Sequence, residues 1–200
     1  MAFMPVGVLK ERLLAGEACD VVVSTPSMLE QFALDGRVDG ATIALIGRVA
    51  TAIAVRAGAS APSIDAPDRV RAALSAAPRI HVPDPERSTA GIHFVQVLRA
   101  LELFEALAPR LTSHRNGVAA MAALAADEDP GALGCTQVTE IRCTRGVALV
   151  GALPPPFDLA TPYAVSVSAA AREPELARRF VDMLVGPDSA ALRRDAGFDV

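Results

Sequence analysis

Short apolar runs typical of buried strands alternate along this chain with segments of helical periodicity. The run Cys19–Val23 contains three consecutive valines without polar alternation, which is the pattern of a strand covered on both faces. The preceding segment, Val8–Ala15, places its apolar residues on one helical face and is followed by Gly16, a residue suited to end a helix. Repeated units of this kind predict an α/β fold with mainly parallel strands.

The same signals continue over the rest of the sequence. Further strands are predicted over Thr42–Arg56, interrupted at Gly47, and over Arg79–Val82, Leu133–Thr136, Val147–Leu153 and Tyr163–Ser168. Further helices are predicted over Met28–Leu34, Ser63–Ala77, Ala90–Leu107, Gly117–Ala126, Glu173–Val185 and Asp188–Ala196. Ser27 and Glu30 have the spacing of a capping box at the start of the second helix.

Two connections rich in proline, glycine or small residues interrupt this alternation, near residues 57–62 and 154–162. We interpret them as two crossings of the chain between lobes. On this interpretation residues 1–58 and 160–200 form a first lobe, and residues 59–159 form a second lobe.

Composition narrows the classes of function. The 200 residues include 19 basic and 23 acidic ones, so the net charge of −4 provides no positive field for nucleic acid. Aromatic residues make up 4% of the chain, which leaves few rings for stacking bases. No apolar run approaches the roughly 18 residues of a transmembrane helix. Met1–Leu9 lacks the cationic start of a secretory signal, so we expect no export signal in the sequence as written.

The sequence offers little support for metal, redox or catalytic chemistry. Cys19, Cys135 and Cys143 are odd in number and form no C-x-x-C motif, which predicts buried, unreactive thiols. The three histidines show no metal-ligand spacing, and the acidic run Asp127–Asp129 is typical of a solvated loop. Because no nucleophile elbow, phosphate loop or dinucleotide motif occurs either, we expect no enzyme activity, metal or cofactor.

Hydroxyl-bearing residues follow three of the predicted strands, at Ser24–Thr25, Ser88–Gly91 and Thr136–Thr139. Where a strand ends and a helix begins, unpaired backbone amides favour an anion. The hydroxyls either cap the helices in the ordinary way or bind a small anion, and the sequence leaves both interpretations open. At the second junction Gly91 would let the backbone approach a ligand closely, and Arg87 would supply either a counter-charge or a surface ion pair.

Three stretches of the sequence carry a resemblance to a known family. They are Leu9–Ser24 (LKERLLAGEACDVVVS), Pro83–Ile92 (PDPERSTAGI) and Gly186–Ala191 (GPDSAA). In this order they resemble the periplasmic molybdate-binding proteins of ABC transporters, over most of the chain. The resemblance implies a type II periplasmic-binding fold, in which two α/β lobes joined by two hinge strands close over an oxyanion such as molybdate. It also implies a periplasmic location and a membrane permease as partner.

The resemblance further implies particular ligand residues. The Ala90 and Thr136 backbone amides resemble anion ligands of the family, and Tyr163 lies near its ligand tyrosine, although the order Thr161-Pro162-Tyr163 differs from the usual Tyr-Pro. With the hydroxyl-bearing junctions, the predicted ligand-binding set is Ser24, Ser88, Thr89, Ala90, Thr136, Gln137 and Tyr163.

The chain also departs from the family pattern. Family members have an initial strand, helix and strand before the matched segment, and Phe3–Gly7 offers no hydroxyl where they have a serine-rich turn. We therefore expect an incomplete first lobe whose open sheet edge favours a homodimer. An alternative interpretation is a cytosolic ligand-sensing or interaction domain on the same fold, with altered or lost anion binding.

Overall fold

The computed structural model describes residues 2, 4 and 6–200, in which strands and helices alternate. The strands are β1 (Val21–Ser24), β2 (Ala44–Arg56), β3 (Ile80–Pro83), β4 (Leu111–His114), β5 (Leu133–Gln137), β6 (Val147–Ala152) and β7 (Ala160–Val167). The helices are α1 (Val6–Leu14), α2 (Pro26–Leu34), α3 (Pro67–Ala76), α4 (Thr89–Ala100), α5 (Phe104–Leu107), α6 (Gly117–Ala126), α7 (Val138–Arg142), α8 (Pro174–Val185) and α9 (Ala190–Ala196). Within the described residues, no helix combines the length and apolar character needed to cross a membrane. Met1, Phe3 and Pro5 lie outside the described residues. The expectations of no export signal in Met1–Leu9 and of no hydroxyl turn in Phe3–Gly7 fall partly on these residues and stay predictions.

The strands form an open sheet in the order β1-β7-β2-β5-β3-β4, with β6 also paired to β2. β3 is parallel to β4 and β5, whereas β1 with β7, and β2 with β5 and β6, are antiparallel. The α/β prediction is confirmed. The sheet is mixed rather than mainly parallel, because β5 and β6 both pair with β2 in antiparallel orientation.

Gly47 does not interrupt β2, contrary to the prediction. Its φ of 151° is a conformation that residues with a side chain rarely adopt, and with glycine there the strand continues for 13 residues. A Cβ at this position would lie 2.7 Å from the Asp199 carbonyl oxygen, and Arg48 bridges Asp199 in antiparallel fashion. The glycine therefore allows the C-terminal segment to pack directly against the strand.

The chain divides into two compact units. The central unit is Ala50–Ala160, and its apolar core includes Phe94 and other buried residues of α3, α4, β2, β3 and β5. The terminal unit comprises Val6–Val49 and Thr161–Val200, and it contains two smaller apolar clusters. The lobe boundaries expected from the sequence stay a prediction.

The long helix predicted over Ala90–Leu107 is wrong, because the chain turns after α4. The Leu103 N–H donates to the Leu98 carbonyl at 2.8 Å, and Glu102 has a positive φ of 56°, which is how a left-handed residue commonly ends a helix. The short α5 follows the turn. β4 and α7 were not predicted; they are four and five residues long, too short to show a clear periodicity.

The two faces of β5 contact different helices. A Cβ at Gly134 would lie 2.4 Å from Met121 Cε of α6, whereas Cys135 belongs to the apolar core that contains α4. Because successive side chains of a strand face opposite sides, Thr136 faces α6 and Gln137 faces α4.

Candidate functional site

Five of the predicted ligand residues lie at one edge of the central unit. β3 and β5 are parallel neighbours, so their carboxyl ends meet at the same edge of the sheet. α4 begins after β3, and α7 begins directly after β5. This edge carries Ser88, Thr89, Ala90, Thr136 and Gln137, and it is the position at which open α/β sheets generally receive a ligand.

The start of α4 is not capped by its own hydroxyl. Ser88 occupies the N-cap position but makes no side-chain cap hydrogen bond. In the preceding loop the Asp84 carboxylate accepts the Glu86 and Arg87 backbone N–H groups at 2.8 and 3.0 Å. Ordinary capping by Ser88 therefore does not account for this junction, and the first amides of a 12-residue helix keep their attraction for negative charge.

Gly91 serves a different purpose from the one expected. A Cβ at this position would lie 2.3 Å from the Asp84 carbonyl oxygen and 2.6 Å from that of Pro83. The backbone that approaches Gly91 is therefore the end of β3 in this same chain, and not a ligand. The glycine allows α4 to start tightly against the strand, with Ala90 only 1% exposed.

The Thr136 hydroxyl is already occupied. It donates to the Glu140 carboxylate, which also accepts the backbone N–H groups of Gln137 and Gly117. Burial raises the pKa of the Glu140 carboxyl, and these three hydrogen bonds offset that rise only in part. One internal carboxylate thus accepts one N–H at the start of α6 and one at the start of α7, and Asn116 caps α6 as well. Among the described contacts, the start of α4 has no comparable carboxylate acceptor and no side-chain cap.

Thr51 of β2 is a polar residue of this edge that sequence reasoning missed. It stands directly opposite Gln137 in the ladder between β2 and β5, and it is 1% exposed. Its Oγ1 has no hydrogen-bond partner among the described residues. An unpaired buried hydroxyl costs roughly 1–3 kcal/mol. The available signal was a lone hydroxyl within the otherwise apolar stretch Val49–Val55.

Ser24 and Tyr163 belong to the terminal unit, where β1 and β7 place them close together. Ser24 is paired with Ala164, the residue after Tyr163. Ser24 is fully buried, and its Oγ has no hydrogen-bond partner among the described residues. The Tyr163 ring meets Phe198 edge to face, with ring centroids 6.5 Å apart.

The predicted capping box at α2 is wrong. The helix begins at Pro26 with Thr25 as its N-cap, so Ser27 lies inside the first turn. Thr25 makes no side-chain cap hydrogen bond either. The start of α2, like that of α4, therefore combines hydroxyl residues with uncapped amides.

Comparison with known proteins places these features in a family. Residues 1–199 match the family described as bacterial extracellular solute-binding protein. The chain belongs to this family. The solute-binding protein is 26% identical over 197 residues to an aconitate isomerase of a Pseudomonas species, covering 94% of this chain and 70% of that relative. It is 26% identical over 202 residues to the molybdate-binding protein ModA of Escherichia coli, covering 100% of this chain and 77% of that relative.

Solved structures share the fold of this solute-binding protein. The periplasmic molybdate-binding protein of Azotobacter vinelandii superposes with a TM-score of 0.79 at 17% identity, covering 100% of this chain and 86% of that one. The expected resemblance to molybdate-binding proteins and the expected type II periplasmic-binding fold are confirmed.

A second polar group of the solute-binding protein was also misjudged from the sequence. Asp127 is not solvated: its side chain is 3% exposed and accepts from Arg79 at 2.7 Å and from His81 Nε2 at 2.8 Å. Burial alone would raise the pKa of Asp127, but hydrogen bonds from His81, the Asp129 N–H and Arg79 hold it at about 2. The other His81 nitrogen lies 3.0 Å from His114 Nε2, and burial, then the charge of His81, lowers the pKa of His114. His81 and Asp127 are 46 positions apart in the sequence, so no local spacing of residues indicated this hydrogen-bonded group.

The cysteines of the solute-binding protein differ in their surroundings. Cys135 is buried, Cys19 is half-buried and Cys143 is exposed, so the prediction of buried thiols is wrong for Cys143. Among the described residues, no three His, Cys, Asp or Glu side chains are arranged to hold a metal ion.

Proposed function

We propose that this protein is the receptor of an ABC transporter for a small oxyanion such as molybdate. The observation that carries the proposal is the start of α4, where the amides around Ala90 lack a side-chain cap beside the buried Gln137. A buried anion is stabilised by such N–H and O–H groups without a full opposite charge. The molybdate-binding relatives support this choice of ligand.

The rest of the site and the partners follow from the same proposal. Ser24 and Tyr163, which β1 and β7 hold in the terminal unit, are proposed ligand residues of that unit. The receptor works outside the cytoplasmic membrane and delivers its ligand to a membrane permease. It acts as a homodimer, which light scattering of the purified chain tests directly: a strict monomer contradicts this part of the proposal.

Isothermal titration calorimetry with molybdate, tungstate, sulfate and phosphate tests the ligand class. The informative variant is Thr89→Glu, because a carboxylate in the first turn of α4 favours the helix yet repels an anion. We expect at least tenfold weaker binding, with the melting temperature retained. Thr89→Gln is the matched neutral variant: it also lacks the Thr89 hydroxyl, so it should bind more tightly than Thr89→Glu, and the difference between the two isolates the effect of the charge. If the wild type gives no heat with any of these anions, the oxyanion proposal fails.

One relative favours a second candidate function. The match to an aconitate isomerase covers 94% of this chain, and aconitate is a small anion with three carboxylate groups. Under this alternative the protein binds or isomerises aconitate. Titration with cis- and trans-aconitate, followed by an assay for their interconversion, separates the candidates: binding without turnover supports a carboxylate receptor, and turnover supports an enzyme.

A further inference from the structure

The hydroxyl of Thr51 lacks a partner although the rest of the residue is fully hydrogen-bonded. The Thr51 N–H donates to the Leu159 carbonyl at 2.9 Å, and the Thr51 carbonyl accepts from the Leu153 N–H at 3.0 Å. The Oγ1 atom alone has no partner among the described residues, and the residue is 1% exposed. Buried hydroxyls nearly always have a partner, so this group calls for an explanation.

The register of the sheet directs this hydroxyl toward α4. Thr51 stands opposite Gln137, and Ile53 stands opposite Cys135. Side chains directly opposite in an antiparallel pair lie on the same face, and residues two apart along a strand share that face. Ile53 and Cys135 belong to the core that contains Phe94 of α4. Thr51 and Gln137 therefore lie on the α4 face of the sheet, at the edge where α4 begins.

A second link joins Thr51 to the early part of α4. His93 Nε2 lies 2.8 Å from the Phe157 carbonyl oxygen, so the segment after β6 is fastened to α4. Two residues later, Leu159 accepts the Thr51 N–H. The same short segment thus contacts both α4 near its start and the backbone of Thr51.

We propose that Thr51 is a ligand residue of the anion site, whose O–H donates to an oxygen of the oxyanion received at the start of α4. The inference rests on the proposed function and adds a donor that no motif indicated. Thr136 does not fill this role with its side chain, because its hydroxyl faces α6 and is committed to Glu140. Donation to the anion supplies the partner that the Thr51 hydroxyl lacks among the described residues.

The decisive variant is Thr51→Val, which replaces the hydroxyl with a methyl group of similar shape. We expect at least tenfold weaker binding of molybdate or tungstate by calorimetry. The melting temperature of the unliganded variant should equal or exceed that of the wild type, because an unpaired buried polar group is removed. Thr51→Ser keeps the hydroxyl and should restore binding to within about threefold of the wild type. Thr112→Val on β4 is the matched control and should leave affinity unchanged.

The outcomes separate the two proposals. If the wild type binds an oxyanion and Thr51→Val binds it equally well, the role of Thr51 is refuted while the receptor function stands. If Thr51→Val melts at a lower temperature and Thr51→Ser does not restore affinity, the hydroxyl is a structural group, and the inference also fails. A wild type that binds none of the oxyanions overturns the receptor function and this inference together.

Discussion

Replacing Gly117 with alanine should destabilise the protein by forcing the Glu140 carboxylate out of its position. A Cβ at residue 117 would lie 2.0 Å from Glu140 Oε2 and 2.1 Å from Thr136 Oγ1. The gap to an ordinary contact exceeds 1 Å, and the neighbours are held by hydrogen bonds. The carboxylate therefore has to withdraw from at least part of the network formed with Thr136, Gln137 and the residue 117 amide.

The expected magnitude follows from the bonds that this movement breaks. Hydrogen bonds to a charged group contribute roughly 1.5–3 kcal/mol each, so losing one or two of the three gives a loss of about 3 kcal/mol. The higher helix propensity of alanine returns up to about 1 kcal/mol. A net loss of about 2–3 kcal/mol lowers the melting temperature of a protein of this size by roughly 4–12 °C.

Urea unfolding monitored by circular dichroism measures this free energy directly. Gly151→Ala is the matched control, because a Cβ there has its nearest neighbour at 3.6 Å and should change stability by less than about 1 kcal/mol. The double variant with Glu140→Ala should lose at least about 1 kcal/mol less than the sum of the single variants, since the obstructed carboxylate is absent. Additive losses, or a Gly117→Ala protein as stable as the wild type, would refute the reasoning.

The raised pKa of Glu140 gives the same network a pH signature. The folded state holds the proton of this carboxyl more tightly than the unfolded state, whose ordinary pKa is 4.5. The stability contributed by Glu140 is therefore complete below that value and declines as the pH rises through the folded-state pKa. Glu140→Gln should remove this decline, so its free energy of unfolding relative to the wild type should increase over this range. A difference between the two proteins that does not vary with pH contradicts the assignment.

Three further predictions concern the central unit. Asp127→Ala leaves a buried imidazole N–H unpaired, so it should lower the free energy of unfolding in urea by about 3 kcal/mol. Glu128→Ala, at the exposed neighbouring carboxylate, should lower it by less than about 0.5 kcal/mol, and equal effects would contradict the buried network. Burial raises the pKa of the Cys135 thiol, so a thiol reagent should label Cys143 in the native protein and Cys135 only after unfolding, as mass spectrometry would report. Phe94→Ala at a 1% exposed core position should cost about 3–5 kcal/mol by the same urea assay, and a loss below about 1 kcal/mol would contradict the packing.

Periodicity and turn residues predicted most of the fold because those signals are local. The strand Val21–Ser24 and the helix Gly117–Ala126 follow directly from runs of suitable residues. The break after Ala100 escaped this reasoning, because the residue that turns the chain is Glu102, a residue type with no preference for a left-handed backbone. Strand direction escaped it as well, since pairing depends on segments far apart in sequence.

The candidate site was predictable only where a junction shows in the sequence. Ser88 and Thr136 were predicted as ligand residues because each has a hydroxyl next to a predicted helix start. Their neighbours in the sequence do not indicate whether such a hydroxyl already has a hydrogen-bond partner within the protein. The structure places Thr136 against Glu140, four residues later, and leaves Ser88 without a capping bond. Thr51 lies 86 positions before its partner Gln137, so its place at this edge follows from the ladder alone.

The row formed by Arg79, Asp127, His81 and His114 has a consequence for imidazole tautomers. An ionised Asp127 carboxylate can only accept, so His81 Nε2 carries the hydrogen that it donates to Asp127. When both rings are neutral, His81 Nδ1 therefore has no hydrogen and accepts from His114 Nε2. The pair of neutral rings is therefore held in one set of tautomers, with hydrogen on Nε2 of both His81 and His114, which the ¹⁵N shifts of the imidazoles would show as one protonated and one unprotonated nitrogen in each ring.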